Sequence, residues 1–495
     1  MAIVTISRGT LSGGRQLAET LARSLEYRLV TREDLSQKAA DLGVPVERLL
    51  QAMSRPPRVY NQLWLERDQY LACVTMLLCE SILSENVVYY GHSAHLLLCG
   101  VPNVLRIMVL AGTDFRVDSV MRTEGLSRSR AREYIEAVDT ERDRWVRFLY
   151  DVDWRDPLNY DFVVHLDQVG WADAATGLSS VARSADFLLT EESRKVVRNL
   201  HLASKVRFAL SQEESTSRAE VRVSAFDGFV QVVYHPRYAE VVPHAQELLA
   251  RIPEVKEANI SMARNSILYL QDHFDPHTAS FGEVAAAAKK MDASLELLSF
   301  RRRGPRSGPQ EVVDDENGRA VVESPPSERS TPVDETGPAS CLHYLRDQGC
   351  SGSCSTFCGD DTAMLSRVRR ERYNLVVLGE LFTDQEPSSR LRKIDELHGF
   401  LTEQSRVPVV EARELEEQLS FGVGQAVKTV VAGLVAALTA YGVYFYSDDL
   451  ISWLNLADAG DIRLLTVATV VLLTPLFAYA YGFFTGQLLR LLRLD

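Results

Sequence analysis

A glycine-rich turn near the start of the chain has the residue types and spacing of a phosphate-binding loop. Residues 2–7 form a short β-branched run, and a helical pattern of leucines follows residue 15. The turn between them, Arg8-Gly-Thr-Leu-Ser-Gly-Gly-Arg15, has two glycines separated by four residues and then a basic residue. Backbone amides in such a turn, with the N-terminus of the next helix, attract an anion. The pattern therefore predicts a site for phosphate groups.

Three stretches of the N-terminal part resemble the cytidylate kinase-like family. They are residues 3–33, 85–111 and 125–165, in the order in which that family has its phosphate loop, its central strands and its lid. The resemblance covers about residues 1–200 and implies a P-loop kinase domain with a parallel sheet over residues 1–196. It also implies ATP with Mg²⁺ as cofactor and a CMP-like nucleotide as acceptor.

The resemblance assigns roles to individual residues. The donor phosphates would lie on Gly9, Ser12, Gly13, Gly14 and Arg15. The acceptor would be bound by Arg32, His92 and Arg106. Charge on the transferring phosphoryl group would be stabilised by Arg15, Arg142 and Arg147. For any single arginine, the alternative is a solvated helical face.

Several positions depart from the family pattern. Gln16 cannot supply the hydroxyl that usually holds magnesium, and Thr31 replaces a common aspartate. His92 and Ser93 replace an arginine and a glycine in the turn that would bind the acceptor. Two hypotheses therefore stay open. One is a membrane-anchored, nucleotide-binding protein that transfers phosphate from ATP to a nucleoside monophosphate. The other is a non-catalytic, membrane-tethered stress sensor or scaffold with a degenerate kinase fold.

Two further modules follow. Residues 197–262 have the order helix, hairpin, helix, strand and resemble a BON domain, the alternative being an unrelated α+β module. Residues 263–415 alternate strands and helices, which predicts a parallel sheet, and they resemble a universal stress protein domain. An insertion at 301–339 is charged and proline-rich, so we expect disorder. Because no glycine-rich stretch follows Gly379, we expect this domain to act in sensing or assembly without nucleotide.

A cysteine cluster spans residues 341–358. Four thiolates could hold zinc or an iron–sulfur cluster, but the gaps of three residues between the last cysteines fit metal ligands less well than two-residue gaps do. A redox-responsive dithiol and chance clustering remain as alternatives. The members are Cys341, Cys350, Cys354 and Cys358.

The C-terminal region, residues 424–490, contains two apolar segments, about 426–446 and 464–489. A bilayer-spanning helix needs about 20 apolar residues, so the pattern predicts a transmembrane hairpin, with a buried helical hairpin as the alternative. The positive-inside rule places both termini in the cytoplasm of a bacterial-type inner membrane. Predicted partners are nucleotide, lipid bilayer, and either a membrane protein or a second copy of the chain. The net charge of −13 argues against nucleic acid.

Overall fold

The computed structural model describes residues 2–47, 60–91, 94–302 and 338–412. Shorter described pieces lie at 313–314, 320–321, 415, 427, 430–438, 441, 478 and 482. The chain divides into two units, Met1–Arg413 and Glu414–Asp495. The first unit holds three sheets of at least three strands each, which we call the first, second and third sheets in chain order.

The first sheet is parallel and carries the phosphate-loop candidate. Its strands have the order β2-β3-β1-β4-β5. They are β1 Ile3–Arg8, β2 Arg28–Thr31, β3 Val87–Tyr90, β4 Val104–Leu110 and β5 Phe162–His165. The central strand β1 pairs with β3 and β4 and is buried along nearly its whole length, as its β-branched run requires.

Helices cover both faces of the first sheet. They are α1 Gly14–Leu25, α2 Arg32–Asp41, α3 Tyr60–Ser84, α4 Ala94–Leu97, α5 Thr113–Glu124, α6 Arg128–Tyr150 and α7 Trp171–Ala182. Leu17, Leu21 and Leu25 recur at helical spacing, so α1 buries one stripe, together with α7, against one face. On the other face α3 and α6 enclose a second core. Short 3₁₀ turns lie at Pro157–Asn159, Ala185–Phe187 and Pro236–Val241.

The second sheet follows helix α8, Glu191–Gln212, which begins before the predicted boundary at residue 197. Val197 and Phe208 of α8 are buried in the α3 and α6 core of the first sheet. The remaining elements are β6 Val221–Phe226, β7 Phe229–Tyr234, α9 Val242–Leu249 and β8 Glu257–Met262. Strand β7 is antiparallel to β6 and parallel to β8. This is the element order expected from the sequence, and the BON-like assignment itself stays a prediction.

The third sheet is parallel, with the order β13-β10-β9-β14-β15. Its strands are β9 Asn265–Gln271, β10 Ala293–Arg302, β13 Gly352–Gly359, β14 Leu375–Leu378 and β15 Val409–Glu411. Its helices are α10 Ala279–Lys290, α11 Pro338–Asp347, α12 Asp361–Glu371 and α13 Pro387–Ser405. Such an order is that of a doubly wound fold. The stress-protein-like assignment remains a prediction.

Within the predicted disordered insertion, two short strands are described. β11 Val313–Asp314 and β12 Ala320–Val321 pair antiparallel, and β10 extends to Arg302, past the predicted start of the insertion. The other residues of the insertion between 303 and 337 lie outside the described part.

The first and third sheets meet through residues 94–101, the segment that contains α4. The backbone amide of Cys358 in β13 donates to the carbonyl oxygen of Gly100 at 3.1 Å. Arg106 of β4 pairs with Asp360, the residue that caps α12, at 3.6 Å. The segment that follows the predicted acceptor turn is therefore bound to a different sheet of the same chain.

The predicted transmembrane hairpin is contradicted. In the part of the chain that the structure describes, no helix has both the length and the apolar character needed to cross a bilayer. Taken together, most residues of segments 426–446 and 464–489 lie outside the described residues. The same finding contradicts the predicted multi-pass inner-membrane location.

Candidate functional site

The predicted phosphate loop, residues 9–14, joins the carboxyl end of β1 to α1. Leu11 and Gly13 have positive φ angles of 51° and 82°, and alternation of left- and right-handed backbone is how successive amides come to face an anion. At Gly13 a side chain would be strained, and its Cβ would lie 3.1 Å from Leu166 Cδ1. No side chain caps the N-terminus of α1. The loop therefore has the backbone of an anion site.

One arginine contacts this loop directly, and a second is linked to it through Asp139. Arg116 of α5 donates from Nε to the carbonyl oxygen of Thr10 at 2.8 Å. It also pairs with Asp139 of α6 at 2.5 Å. Arg142, on the same face of α6, pairs with the other oxygen of Asp139 at 2.9 Å. A third arginine, Arg8 at the end of β1, lies 4.3 Å above the ring of Tyr90.

This arginine cluster, which we define as Arg8, Arg116 and Arg142, carries more positive than negative charge. Burial, with the charges of Arg8, Arg116 and Arg32, lowers the pKa of Arg142 to about 10, although Asp139 opposes the shift. The guanidinium therefore stays protonated at neutral pH, among like charges. A phosphate chain would reduce this repulsion while accepting charge-assisted hydrogen bonds.

Asp139 is the acidic group in the cluster. Its carboxylate accepts hydrogen bonds from the hydroxyl of Thr10 at 2.6 Å and from the backbone amide of Thr10 at 3.4 Å. Burial opposes its ionisation, but the bonds from Thr10 and Arg116 outweigh burial and keep the pKa of Asp139 below its ordinary value. Asp139 and Thr10 were not among the predicted site residues. The sequence pattern that could have identified Asp139 is its three-residue spacing from Arg142 on one helix.

The predicted donor-site residues have different surroundings. The backbones of Gly9, Gly13 and Gly14 form the loop and its junction with α1. Ser12 is buried, and its hydroxyl donates to the carbonyl oxygen of Gly9 at 3.0 Å. The side chain of Arg15 is 73% exposed and pairs with Glu19 on α1. The side chain of Arg15 is therefore in solvent, and the arginine that contacts the loop is Arg116 of α5.

On the predicted acceptor side, Arg32 lies over Trp145, with 5.5 Å between its guanidinium carbon and the ring centre. Arg32 also lines a partly open cavity of about 20 Å³, together with Tyr70, Tyr89 and Tyr150. This volume suits a single water. His92, the predicted acceptor residue in the adjacent turn, lies outside the described residues.

Arg106 and Arg147 do not reach the loop. Arg106 lies near the amino end of β4, where it pairs with Asp161 at 3.1 Å as well as with Asp360. The phosphate loop lies at the opposite, carboxyl edge of this parallel sheet. The side chain of Arg147 is 55% exposed and pairs with Asp143 at 2.9 Å. Of the predicted transfer arginines, Arg142 is therefore the one that the structure places in the cluster.

Among the described residues, the clustered cysteines are not arranged as a set of metal ligands. Cys350 donates from Sγ to the carbonyl oxygen of Ala285 at 3.4 Å, and Cys354 and Cys358 lie within β13. Burial raises the pKa of the Cys341, Cys350 and Cys354 thiols, which opposes the thiolate form that metals and oxidants require. Over the described residues, which include all four cysteines, no group of three or more His, Cys, Asp or Glu side chains could hold a metal ion.

The loop fits phosphate groups but supplies little for magnesium. Gln16 stands where a phosphate loop usually has a hydroxyl. The carboxylate on the loop, Asp139, is already bound to Arg116 and Arg142. A magnesium ion commonly keeps several waters and binds through substrate phosphates. The side chains present at this loop therefore do not form a magnesium ligand set.

Comparison with known families agrees with this geometry. Residues 3–168 match the family model of the cytidylate kinase-like family. The match supports a nucleotide-binding, kinase-like fold for this part of the chain, as the sequence predicted.

Among solved structures, an uncharacterized protein from Eubacterium ventriosum is 21% identical over 37% of this chain and 99% of its own, with a TM-score of 0.28. No curated protein matches the chain. For the modules after residue 196, the BON-like and stress-protein-like assignments stay predictions.

Proposed function

We propose that the cytidylate kinase-like domain binds ATP on the 9–14 loop and transfers its terminal phosphoryl group to a nucleoside monophosphate. The observation that carries the proposal is the uncapped N-terminus of α1 beside the arginine cluster, at the carboxyl end of the central strand. Loop amides and guanidinium groups are the groups that hold phosphate chains in proteins. The family match of residues 3–168 supports the same function.

The chain's own residues would contribute mainly charge and position. Arg116 and Arg142 come from two helices and converge on the loop, so they could neutralise charge as it spreads over the transferring group. Arg32 opens α2 at the carboxyl end of β2, where it could hold the acceptor phosphate. Phosphoryl transfer requires little beyond this positioning and electrostatic stabilisation.

The test uses the full chain, because Val197 and Phe208 of α8 complete the core of the kinase-like domain. Binding of ATP and of CMP is measured by calorimetry, followed by a phosphoryl-transfer assay on the same sample. Arg142→Gln is expected to weaken ATP binding about tenfold or more, since it removes charge-assisted hydrogen bonds from the site. Arg144→Gln removes the same charge from an exposed position on α6 and should bind ATP like the wild type.

Equal ATP binding by the two variants would mean that the arginine cluster is not the phosphate site. If ATP does not bind the wild-type chain at all, the nucleotide-binding proposal is wrong.

A second candidate function is nucleotide binding without transfer. It is favoured by the placement of Arg106, which pairs with Asp161 and Asp360 away from the loop, and by the exposure of Arg147. Under this candidate the kinase-like domain would act as a sensor or scaffold joined to the second and third sheets. ATP binding without CMP binding or turnover would identify this function, whereas turnover would reject it.

A further inference from the structure

We propose that Asp139 is an internal counter-ion: its carboxylate occupies the place of a donor phosphate on the loop, and nucleotide binding displaces it. This inference rests on the proposed phosphate-binding function of the loop. It adds that an acidic side chain of the same chain occupies the site until nucleotide binds. It concerns a side chain that no family resemblance above assigned to the site.

The hydrogen-bond partners of Asp139 are those of a phosphate oxygen. The carboxylate accepts from a loop hydroxyl and a loop amide, both of Thr10. It also accepts from the guanidinium groups of Arg116 and Arg142. A bound phosphate chain would require the same donors, because loop amides and arginine forks are what recognise it. The carboxylate and the phosphate therefore compete.

Charge explains why the site would hold an acidic residue. Arg8, Arg116 and Arg32 all lower the pKa of buried Arg142, whereas Asp139 raises it. Without an anion the guanidinium groups would repel one another in a partly desolvated setting. A carboxylate supplied by α6 offsets one unit of this charge, and a triphosphate would offset more. A triphosphate is therefore expected to displace the carboxylate.

The geometry permits the exchange. The Asp139 side chain is 16% exposed, so a displaced carboxylate can reach solvent without crossing a closed core. Its bond from the Thr10 amide is long, at 3.4 Å, near the limit of an effective hydrogen bond. The contact between α6 and the loop through Asp139 is therefore one that a stronger anion can replace.

The test compares Asp139→Asn with the wild type in the full chain, using inorganic tripolyphosphate as the probe. Calorimetry gives the dissociation constant, and thermal unfolding gives the stability with and without the probe. Asp139→Asn is expected to bind tripolyphosphate about tenfold more tightly, since a charge-assisted competitor has been removed. Its melting temperature without the probe should fall. Glu141→Gln, an equal change of charge on the exposed side of α6, should behave like the wild type.

A second variant covers the case that Asp139→Asn does not fold. Asp139→Ala removes the same carboxylate and leaves the Thr10 hydroxyl free to donate to the probe, so it should also tighten tripolyphosphate binding about tenfold. If the wild type binds tripolyphosphate and both variants bind it no better, Asp139 is not a counter-ion and the phosphate-binding function stands. If neither the wild type nor the variants bind, the loop function and the counter-ion role both fail. Binding by Asp139→Asn alone would support the exchange.

Discussion

At the scale of single residues, His95 is a buried polar group that the fold leaves unsatisfied. It is 5% exposed, and neither ring nitrogen has a hydrogen-bond partner among the described residues. Its ring packs against Tyr160, with 4.8 Å between the ring centres. Burial and the positive charge of Arg106 lower the pKa of His95 to about 3. The ring is therefore neutral in the folded chain at all ordinary pH values.

This shift predicts a loss of stability in mild acid. As pH falls below the ordinary histidine pKa of 6.5, His95 becomes protonated in the unfolded chain but stays neutral in the folded chain. The free energy of unfolding therefore falls by about 1.4 kcal/mol per pH unit. His95→Leu should remove this part of the slope, because leucine does not titrate. It should also add about 1 kcal/mol at pH 7.5 by removing an unsatisfied polar group. Urea unfolding at pH 7.5 and 5.5 measures both effects.

The control is His244→Leu, at an exposed position in α9, which should leave the pH dependence of the free energy of unfolding unchanged. An unaltered slope in His95→Leu would show that His95 takes up a proton in the folded chain.

At this scale, the glycine spacing predicted the turn between β1 and α1, because a positive φ at Gly13 restricts the residue type locally. The phosphate-binding roles of these glycines stay predictions. The family resemblance assigned Arg106 to the acceptor. In the structure its partner Asp360 belongs to the third sheet, and no local sequence pattern predicts an ion pair between residues so far apart in the chain. Asp139 was missed for a related reason, since its bond to Thr10 joins residues from opposite ends of the kinase-like domain.

At the scale of elements, Gly100 shows how closely the kinase-like domain and the third sheet pack. It has a φ of 87°, and an added Cβ would lie 2.6 Å from the ring of Phe357. Phe357 belongs to β13 and is fully buried. A side chain at residue 100 would therefore meet both backbone strain and a ring that has no free space.

Gly100→Ala is expected to lower the free energy of unfolding by about 3 kcal/mol, of which strain contributes about 1–2 kcal/mol and overpacking the rest. Gly125→Ala is the matched control, because Gly125 has a φ of 68° but no atom within 4 Å of its added Cβ. It should cost about 1–2 kcal/mol, from strain alone. Urea unfolding of both variants gives the difference. Equal losses would mean that Phe357 does not pack on Gly100 in solution.

Element order was the more predictable part of the fold. Alternation of strands and helices correctly predicted the parallel sheet of the third module, because parallel strands need crossover helices. For the first module, the parallel sheet was implied by the family resemblance. The boundary at residue 197 was less successful, because α8 starts at Glu191 and packs into the kinase-like core with Val197. Apolar content alone also led to the contradicted transmembrane hairpin, since composition does not report where a helix begins and ends.

At the scale of the first unit, charged side chains join the three sheets. Arg207 of α8 pairs with Asp68 of α3 at 3.3 Å. Arg372, which follows α12, pairs with Glu220 next to β6 at 3.7 Å. Glu371 lies at this junction and pairs with Arg370 at 3.2 Å. The kinase-like domain is thus connected to both later modules by ion pairs as well as by the α8 core, so we expect the unit to unfold as a whole.

The ionisation of Glu371 offers a test of whether the unit unfolds as a whole. Burial raises its pKa, but the charges of Arg370, Arg207, Arg367 and Arg222 outweigh burial and lower it to about 2. The folded value is below the ordinary 4.5, so the stabilisation is complete above pH 4.5 and is lost as pH falls toward 2. Glu371→Gln should therefore cost about 3 kcal/mol at pH 7 and progressively less in acid.

The control is Glu403→Gln, at an exposed position of α13 in the same sheet, which should change the free energy of unfolding little at either pH. Unfolding is followed by two signals, circular dichroism for the whole unit and ATP binding for the kinase-like domain. Because Arg207 and Arg222 belong to α8 and β6, loss of the Glu371 carboxylate should shift both signals together. A shift in circular dichroism while ATP binding keeps its wild-type midpoint would mean that the third sheet unfolds separately, and that the kinase-like domain folds without it.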